Sequence, residues 1–535
     1  MRMLRGFRLI LNSTRSGGLN AVQLSTVGNL ISDLAREHAT RTALIFPELN
    51  ISFTFAELND LSERVAKNLY RAGFRKGDRF AIWANNMPEW IILEFATAKI
   101  GVILLTVNTS LRRNELQYVL SQSGARGLAL VRSFRGVNFM EELEAVRPSL
   151  PELREVFILP EDFEGLAAPA DFELPAIPLD PHDWINMQYT SGTTGFPKGV
   201  MLSHNNILRN AFNTMKKLGM ASSDVLCLKI PLFHCFGCIT GVLGAYSQGA
   251  QIVGLTEFNP VRALAAIQNY RCTVVFGVPT MFIAELNHPD FDKYDLSSLR
   301  TGIMGGAPCP LEVMKAVVEK MGARHMTVGY GLTEASPGVT QTRPDDPLDL
   351  RVGTVGVAGT DVEVKIVDPV SGDELARGSE GELITRGYHV MLGYYGMPDE
   401  TNLAVRGGWL HTGDLATMDE RGYIRITGRI KDVIIRGGEN VAPREIEELL
   451  LTHPAIREAY AYGVPSDLFG QEVAVAVQLR DGALLNAGAL QDFCRGHLAR
   501  FKVPEFVEFV SEFPATASGK VQRYKLAEAW VSRRQ

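Results

Sequence analysis

The chain has 535 residues, 46% of them apolar and 21% charged, with 50 glycines and 26 prolines. That length exceeds what one hydrophobic core usually serves, and the apolar and charged fractions exclude disordered, collagen-like and coiled-coil chains. With 54 basic against 60 acidic side chains the net charge is −6, so no basic field exists to make nucleic acid the main partner. The six cysteines, at 227, 235, 238, 272, 309 and 494, are few and irregularly spaced, which fits a reducing compartment better than a disulfide framework.

Residues 1–26 come first. Arg2, Arg5, Arg8 and Arg15 stand there with no acid before Asp33, beside Met3, Leu4, Phe7, Leu9, Ile10 and Leu11. Such arginine-rich, acid-free composition suits a mitochondrial transit segment. The plainer reading is a disordered bacterial extension or an upstream start codon, and the expected location is then the cytoplasm, with the mitochondrial matrix as the alternative. Leu58, Leu61, Val65 and Leu69 then recur at helical spacing, and 79–84 reads as a compact strand. A helix is predicted over 88–98, with proline in its first turn, and a strand over 102–107. Leu116, Val119 and Leu120 mark another helix ahead of a strand at 127–131. This alternation predicts an α/β sheet with helices on its faces, and no fixed period repeats.

From 155 to 197 there is no lysine or arginine, and prolines stand at 160, 169, 175, 178 and 181. That predicts a surface connection with neither helix nor strand. No charged residue stands between Lys229 and Glu257, a window long enough to span a bilayer. Pro231, His234, Ser247, Gln248 and Gln251 interrupt it, and the spacing of Gly237 and Gly241 predicts close packing inside a water-soluble core instead. Pro344-Asp345-Asp346-Pro347 is a second loop. Past Gly428 the texture changes: Ile446, Leu449 and Leu450 predict a helix, 473–479 is an apolar run, and 490–498 is helical. The predicted organisation is an extension at 1–26, a body at 27–428 and a small α+β domain at 429–535.

The densest chemical signal is Thr190-Ser191-Gly192-Thr193-Thr194-Gly195-Phe196-Pro197-Lys198-Gly199. Glycines let backbone N–H groups converge on an anion, hydroxyls add donors, and Lys198 supplies charge, an arrangement suited to phosphate oxygens. A Walker A loop would place Ser or Thr directly after the lysine, whereas Gly199 and Val200 follow here. The competing reading is a surface turn, since the same residue types crowd into turns.

This run resembles the phosphate loop of the adenylate-forming superfamily: acyl-CoA synthetases, luciferases and peptide-synthetase adenylation domains. Further hallmarks follow in that family's order. They are Tyr330-Gly331-Leu332-Thr333-Glu334, Trp409-Leu410-His411-Thr412-Gly413-Asp414, Gly428-Arg429-Ile430-Lys431-Asp432 and Ser518-Gly519-Lys520. The resemblance runs from about residue 27 to the C-terminus. Gly387-Tyr388-His389-Val390-Met391-Leu392-Gly393-Tyr394 and Ile434-Ile435-Arg436-Gly437-Gly438-Glu439-Asn440 look most similar to medium-chain fatty-acyl-CoA synthetases.

The resemblance implies a large N-terminal domain of αβ-layered sheets, a small mobile α+β C-terminal domain, and the use of ATP, Mg²⁺ and coenzyme A. It implies that Thr190, Ser191, Gly192, Thr193, Thr194, Gly195 and Lys198 hold ATP phosphates. Glu334, a hard oxygen ligand beside Thr333, holds Mg²⁺. Tyr330, with Gly331 and Leu332, faces adenine, and Gly306-Ala307-Pro308 resembles the other adenine wall. Asp414 and Arg429 take the ribose. Lys520 enters the cleft during adenylation, where its point charge stabilises the α-phosphate and carboxylate oxygens. Ala515-Thr516-Ala517 ahead of it departs from the family's frequent proline-containing version. The small domain then swings about Lys431, where many members carry aspartate. Gly437 and Gly438, with no Cβ in the way, meet the pantetheine of CoA.

His234-Cys235-Phe236-Gly237-Cys238 has the look of a zinc or thiol-redox site. Structural zinc takes four ligands and no second paired cluster follows, so another reading is preferred. Pro231-Leu232-Phe233-His234 resembles the family segment bordering the acyl pocket, which puts His234 near the substrate carboxylate. Peptide-synthetase domains carry an aspartate here to bind an amino group; its absence disfavours amino-acid substrates. Gly331 stands where acetate-specific members place a bulky aromatic, which predicts an open pocket. There each buried methylene is worth about 0.8 kcal/mol.

The expected function is an ATP-dependent fatty-acid–CoA ligase for medium chains, forming an acyl-adenylate and then acyl-CoA with release of AMP and pyrophosphate. The alternatives are an aryl acid, an acyl-carrier-protein acceptor, luciferase-like oxidation of the adenylate, and a catalytically dead nucleotide-binding scaffold. The expected partners are fatty acid, ATP and CoA, with no nucleic acid and no transmembrane segment. Peripheral membrane contact and a homo-oligomer stay open.

Overall fold

The computed structural model describes residues 25–190, 197–436, 439–466, 468–495, 497–515 and 521–534, without the side chain of Asn440. The expectation for residues 1–26 therefore falls almost wholly outside the described residues. The first helix, Val27–Glu37, is capped by Thr26, whose side chain accepts from the Asn29 N–H. Helix Phe55–Arg71 begins with a capping box: Thr54 Oγ1 accepts from the Glu57 N–H at 3.2 Å, and Glu57 Oε2 accepts from the Thr54 N–H at 2.7 Å. It buries Phe55, Leu58, Val65, Ala66 and Leu69 and packs on helix Pro88–Lys99, which is buried from Pro88 to Ala98.

Two large sheets form the body. One has seven strands, in the order Gly393–Tyr394, Lys198–Ser203, Trp184–Thr190, Ile103–Thr106, Arg79–Trp83, Gly127–Val131 and Glu155–Leu159. Its central pairings are parallel, and strands such as Gly127–Val131 are buried throughout, as parallel sheets covered on both faces require. The other has nine strands running from Val357–Ala358 through His325–Gly331, Thr301–Gly305 and Val274–Gly277 to Ile51–Thr54. Apolar side chains from both sheets join one continuous core. This is the α/β class expected, a large N-terminal domain of sheets and helices with a smaller C-terminal domain.

The stretch at 155–197 corrects one expectation. It contains strand Glu155–Leu159, helix Phe163–Leu166 and strand Trp184–Thr190, and among its described residues 160–162, 167–183 and 197 have no helix or strand. The β-rich run Val156-Phe157-Ile158-Leu159 pairs parallel with Gly127–Val131, and that pairing outweighs the surrounding acids and prolines.

The uncharged window after Lys229 forms a π-helical segment, Phe236–Leu243, followed by helix Gly244–Ser247. A Cβ on Gly237 would stand 2.1 Å from the Pro231 carbonyl oxygen, and one on Gly241 would stand 2.7 Å from Leu228 Cδ1. Both glycines serve close packing, as their spacing predicts. Among the described residues no helix is long and apolar enough to cross a membrane. Lys229 itself is fully buried and paired with Glu285 at 2.5 and 2.7 Å.

A third sheet holds Val362–Val367, Gly381–Gly387, Trp409–Met418 and Val405–Arg406, with Ile424–Arg429 paired on Trp409–Met418. After the 3-10 turn Ile430–Asp432 comes the fourth sheet: Glu439–Val441, Ile434–Arg436, Gly470–Leu479 and Ile456–Ser466, with Phe506–Phe509 parallel to Gly470–Leu479. Helices Pro443–Leu451 and Ala487–Arg495 cover it, burying Ile446, Leu450, Leu490 and Cys494 in a core of their own.

Candidate active site

A cavity of about 1260 Å³ lies where the ends of these sheets meet. Thr190, Lys198, His234, Gly306, Tyr330, Gly331, Leu332, Thr333, Glu334, Arg429 and Lys431 all line it. Sequence separation had scattered these residues over 240 positions; the fold gathers them on one surface. Thr190 ends one strand and Lys198 opens the next, and the two residues pair directly across the ladder. Ser191, Gly192, Thr193, Thr194 and Gly195 lie outside the described residues, as do Gly437, Gly438 and Lys520. Ala515, Gln522 and Lys525, on either side of 516–520, border the same cavity.

One side of the cavity is organised around Asp414, whose side chain is 5% exposed. Tyr330 donates its hydroxyl to Asp414 Oδ2 at 2.6 Å, and Arg429 Nε holds Oδ1 at 2.7 Å. Tyr330 comes from strand His325–Gly331, Asp414 from Trp409–Met418 and Arg429 from the end of Ile424–Arg429, paired in register with Asp414. Burial, then the neighbouring Asp414 charge, pushes the Tyr330 phenol far above its usual range, so it remains a donor. Burial lowers the Arg429 pKa, but Asp414 and Asp432 more than offset it and raise it overall. Gly413 has φ of +71°, and its N–H donates to Glu382 Oε1 at 3.1 Å, while Glu382 Oε2 meets His411 Nδ1 at 2.7 Å. Gly306, at φ +80°, turns the chain away after strand Thr301–Gly305; Ala307 and Pro308 continue that turn exposed.

A second cluster centres on Glu334. Tyr394 donates its hydroxyl to Glu334 Oε1 at 2.9 Å, and among the described residues Oε2 has no hydrogen-bond partner. Lys198 Nζ stands 5.1 Å from the centre of the Tyr394 ring and is ion-paired with Glu400. Among the described residues no group of three His, Cys, Asp or Glu is placed to hold a metal ion. One carboxylate facing the cavity suits Mg²⁺, which takes one or two carboxylates and completes its shell with phosphate oxygens and water.

The third region is apolar. Ile230, Phe236, Val278, Met281 and Ile303 line the cavity beside His234. His234 Nδ1 accepts from the Phe236 N–H at 3.2 Å, which leaves the proton of a neutral ring on Nε2. Cys235 Sγ lies 3.6 Å from that Nδ1 and 3.8 Å from Thr333 Oγ1. Burial pushes the Cys235 thiol up to about 12 and the Cys238 thiol well above its usual value, so neither is activated as a redox nucleophile. Gly331 has a local cause beyond any pocket: a Cβ there would stand 1.9 Å from the Pro337 carbonyl oxygen.

Sequence reasoning gave no role to Tyr394, Glu382, His411 or Glu400. The first sits in the Gly387–Tyr394 run and His411 in the Trp409–Asp414 run, so their motifs carried a signal. Glu382 and Glu400 are single acids among many, and only the fold sets Glu400 against a lysine 202 positions away.

A sequence profile of the AMP-binding enzyme family matches residues 31–395, and a profile of the AMP-binding enzyme C-terminal domain matches residues 445–520. The chain is 48% identical to "Putative acyl-CoA synthetase YngI" of Bacillus subtilis (strain 168), over 95% of this chain and 97% of that one. It is 37% identical to the mitochondrial medium-chain acyl-CoA ligase ACSF2 of Danio rerio, over 95% and 88%. Among solved structures it resembles ATP-bound MatB from Rhodopseudomonas palustris, with TM-score 0.85, 30% identity and coverage of 95% and 100%. It also resembles the anthranilate CoA ligase AuaEII in complex with anthranoyl-AMP, with TM-score 0.87, 27% identity and coverage of 96% and 99%. Adenylate-forming acyl-CoA synthetases use ATP, Mg²⁺ and CoA. The chain belongs to the AMP-binding enzyme family, among its adenylate-forming acyl-CoA ligases.

Proposed function

We propose that this protein is a medium-chain fatty-acid–CoA ligase. The observation that carries the reading is a single cavity joining the Lys198, Glu334 and Asp414 clusters to an apolar wall of Ile230, Phe236, Val278, Met281 and Ile303. Polyphosphate and an uncharged chain can lie there end to end. The medium-chain names of relatives at 35–37% identity support the chain length. A cytoplasmic location follows the likeness to YngI, with the matrix as the alternative from the mitochondrial ACSF2 names.

In this reading the chain has a body at 27–428 and a mobile lid at 429–535. Tyr330 and the Gly306-Ala307-Pro308 turn flank adenine, and Asp414 with Arg429 orients the ribose. Lys198, with Thr190 and residues 191–195, takes the terminal phosphates. Glu334, held by Tyr394 and next to Thr333, would hold Mg²⁺, which when bound supplies positive charge against the polyphosphate. His234 Nε2 donates towards the acid, which attacks the ATP α-phosphorus to give acyl-adenylate and pyrophosphate. Lys520 neutralises charge at that centre. The lid then turns about Lys431, and Gly437 and Gly438 admit CoA, whose sulfur attacks the acyl carbon and releases AMP.

The test is AMP release with CoA across straight-chain acids from C2 to C18 and a panel of aryl acids. An optimum at medium chain length is expected. No AMP with any acid overturns the ligase reading, and an optimum at acetate overturns the open pocket. An optimum on an aryl acid would favour the second reading, which the likeness to AuaEII and to the o-succinylbenzoate CoA synthetase of Bacillus subtilis supports.

A further inference from the structure

Lys198 has a protein partner of its own. Its ammonium is ion-paired with Glu400, from the first turn of helix Pro398–Ala404. The lysine side chain is 20% exposed and the glutamate 45%, so the acid sits on the open side of the pair and can swing away. The lysine backbone cannot follow, because it is fixed in the ladder opposite Thr190. A carboxylate oxygen and a phosphate oxygen are both anionic acceptors that an ammonium can meet with a charge-assisted hydrogen bond.

We propose that Glu400 is a displaceable counter-ion, holding the place at Lys198 Nζ that a phosphate oxygen of ATP takes over. The proposal rests on the reading of Lys198 as a phosphate-binding cation. Before nucleotide arrives, the pair fixes the Lys198 rotamer over the Tyr394 ring, 5.1 Å from its centre, next to the Glu334 cluster that Tyr394 supports. When ATP takes the ammonium, Glu400 keeps a second cation within electrostatic reach, Lys431, which lines the same cavity. When pyrophosphate has formed, Glu400 returns to compete for Lys198. Affinity for ATP and for pyrophosphate is lowered alike, and pyrophosphate departs sooner. Glu400 is thus a positioning residue acting through Lys198, not a catalytic one.

The test compares Kd for ATP and for pyrophosphate, by calorimetry on the full chain, in wild type and Glu400→Gln. The variant is expected to bind both about two- to fivefold more tightly at low salt, the size an exposed ion pair carries. The gain should shrink at high salt, with KM for ATP lowered and KM for the acid unchanged. Lys198→Ala should abolish the effect of Glu400→Gln. Asp399→Asn, which removes the same charge one residue away, should not reproduce it. The proposal is overturned if Glu400→Gln, with an unchanged melting temperature, binds ATP no more tightly than wild type. It is also overturned if the gain persists in the Lys198→Ala background or appears equally in Asp399→Asn. These binding measurements need no acyl substrate, so they stand apart from the AMP-release assay on which the ligase reading depends.

Discussion

Tyr330 donates its hydroxyl to Asp414 Oδ2 at 2.6 Å while Arg429 Nε holds Oδ1 at 2.7 Å, so both oxygens of a buried carboxylate are held by the protein's own groups. Tyr330→Phe keeps the ring proposed to face adenine and removes only the donor. The bond exists with or without nucleotide, so most of the about 1.5–3 kcal/mol that a hydrogen bond to a charged group is worth falls on stability, and Kd for ATP should rise only by the lost preorganisation, about two- to tenfold. Asp414→Ala should weaken ATP further, because it also leaves Arg429 without its partner. Calorimetric ATP titration checks both, and a Tyr330→Phe protein that binds ATP like wild type would remove Tyr330 from the ribose cluster.

That pair also marks how far the sequence could be read. Tyr330, Asp414 and Arg429 lie in local motifs whose residue order is diagnostic, and so do Lys198 and Glu334. Periodicity found the helices at 55–71 and 113–123 because their buried faces repeat at helical spacing, whereas 88–99, buried all round, is marked by the proline in its first turn. It missed strand Glu155–Leu159, whose stability comes from a parallel neighbour distant in sequence rather than from its own composition. Glu382 and Glu400 were missed for the same reason. A single acid has no local signature, and its meaning lies wholly in the partner that the fold supplies.

Gly331 separates a backbone cause from a pocket cause. A Cβ at 331 would stand 1.9 Å from the Pro337 carbonyl oxygen, so Gly331→Ala must push the 336–338 segment away. Forcing such a shift costs about 1–3 kcal/mol. The expected outcome is a lower melting temperature with activity reduced on every acid from C2 upward. Selective loss on the longer acids, at unchanged melting temperature, would instead make Gly331 purely a pocket-opening residue.

Two buried histidines set a pH dependence. His204 Nδ1 accepts from the Val27 N–H at 3.1 Å, and His389 Nε2 faces Thr385 Oγ1 at 2.9 Å. Thr385 Oγ1 already donates to the Glu363 carbonyl, so the His389 proton is on Nε2. Burial holds both rings down at about 4, against the usual 6.5 in the unfolded chain. Between those values the unfolded state binds protons that the folded state refuses. Stability is therefore full above about pH 6.5, falls towards pH 4 by about 3 kcal/mol per ring, and levels off below. His204→Gln can still accept from Val27, and it should flatten the fall in melting temperature between pH 6.5 and 4.5. An unchanged slope would show that His204 does not carry that linkage.

In the proposed reading Lys520 divides the two half-reactions. If it serves only the adenylation arrangement, Lys520→Ala should abolish pyrophosphate formation from ATP and acid. Conversion of supplied acyl-AMP and CoA to thioester should stay within a few-fold of wild type. Equal loss of both half-reactions would contradict the swing of the small domain about Lys431.

The pair Lys229–Glu285 is fully buried at 2.5 and 2.7 Å, with the ammonium 4.3 Å from the centre of the Phe282 ring. Desolvation opposes both charges, and burial raises the Glu285 pKa even though Lys229 pulls it down. The pair is stable because each partner answers the other, not because either is favourable inside. Lys229→Met or Glu285→Leu alone strands a charge in an apolar core and should cost about 3–5 kcal/mol. The double replacement strands nothing, so it should recover most of that loss and give a melting temperature above both single variants. Single variants no less stable than the double would mean that the stranded group finds water or another partner, and the pair would then contribute little to holding strand Val225–Leu228 against helix Pro279–Leu286.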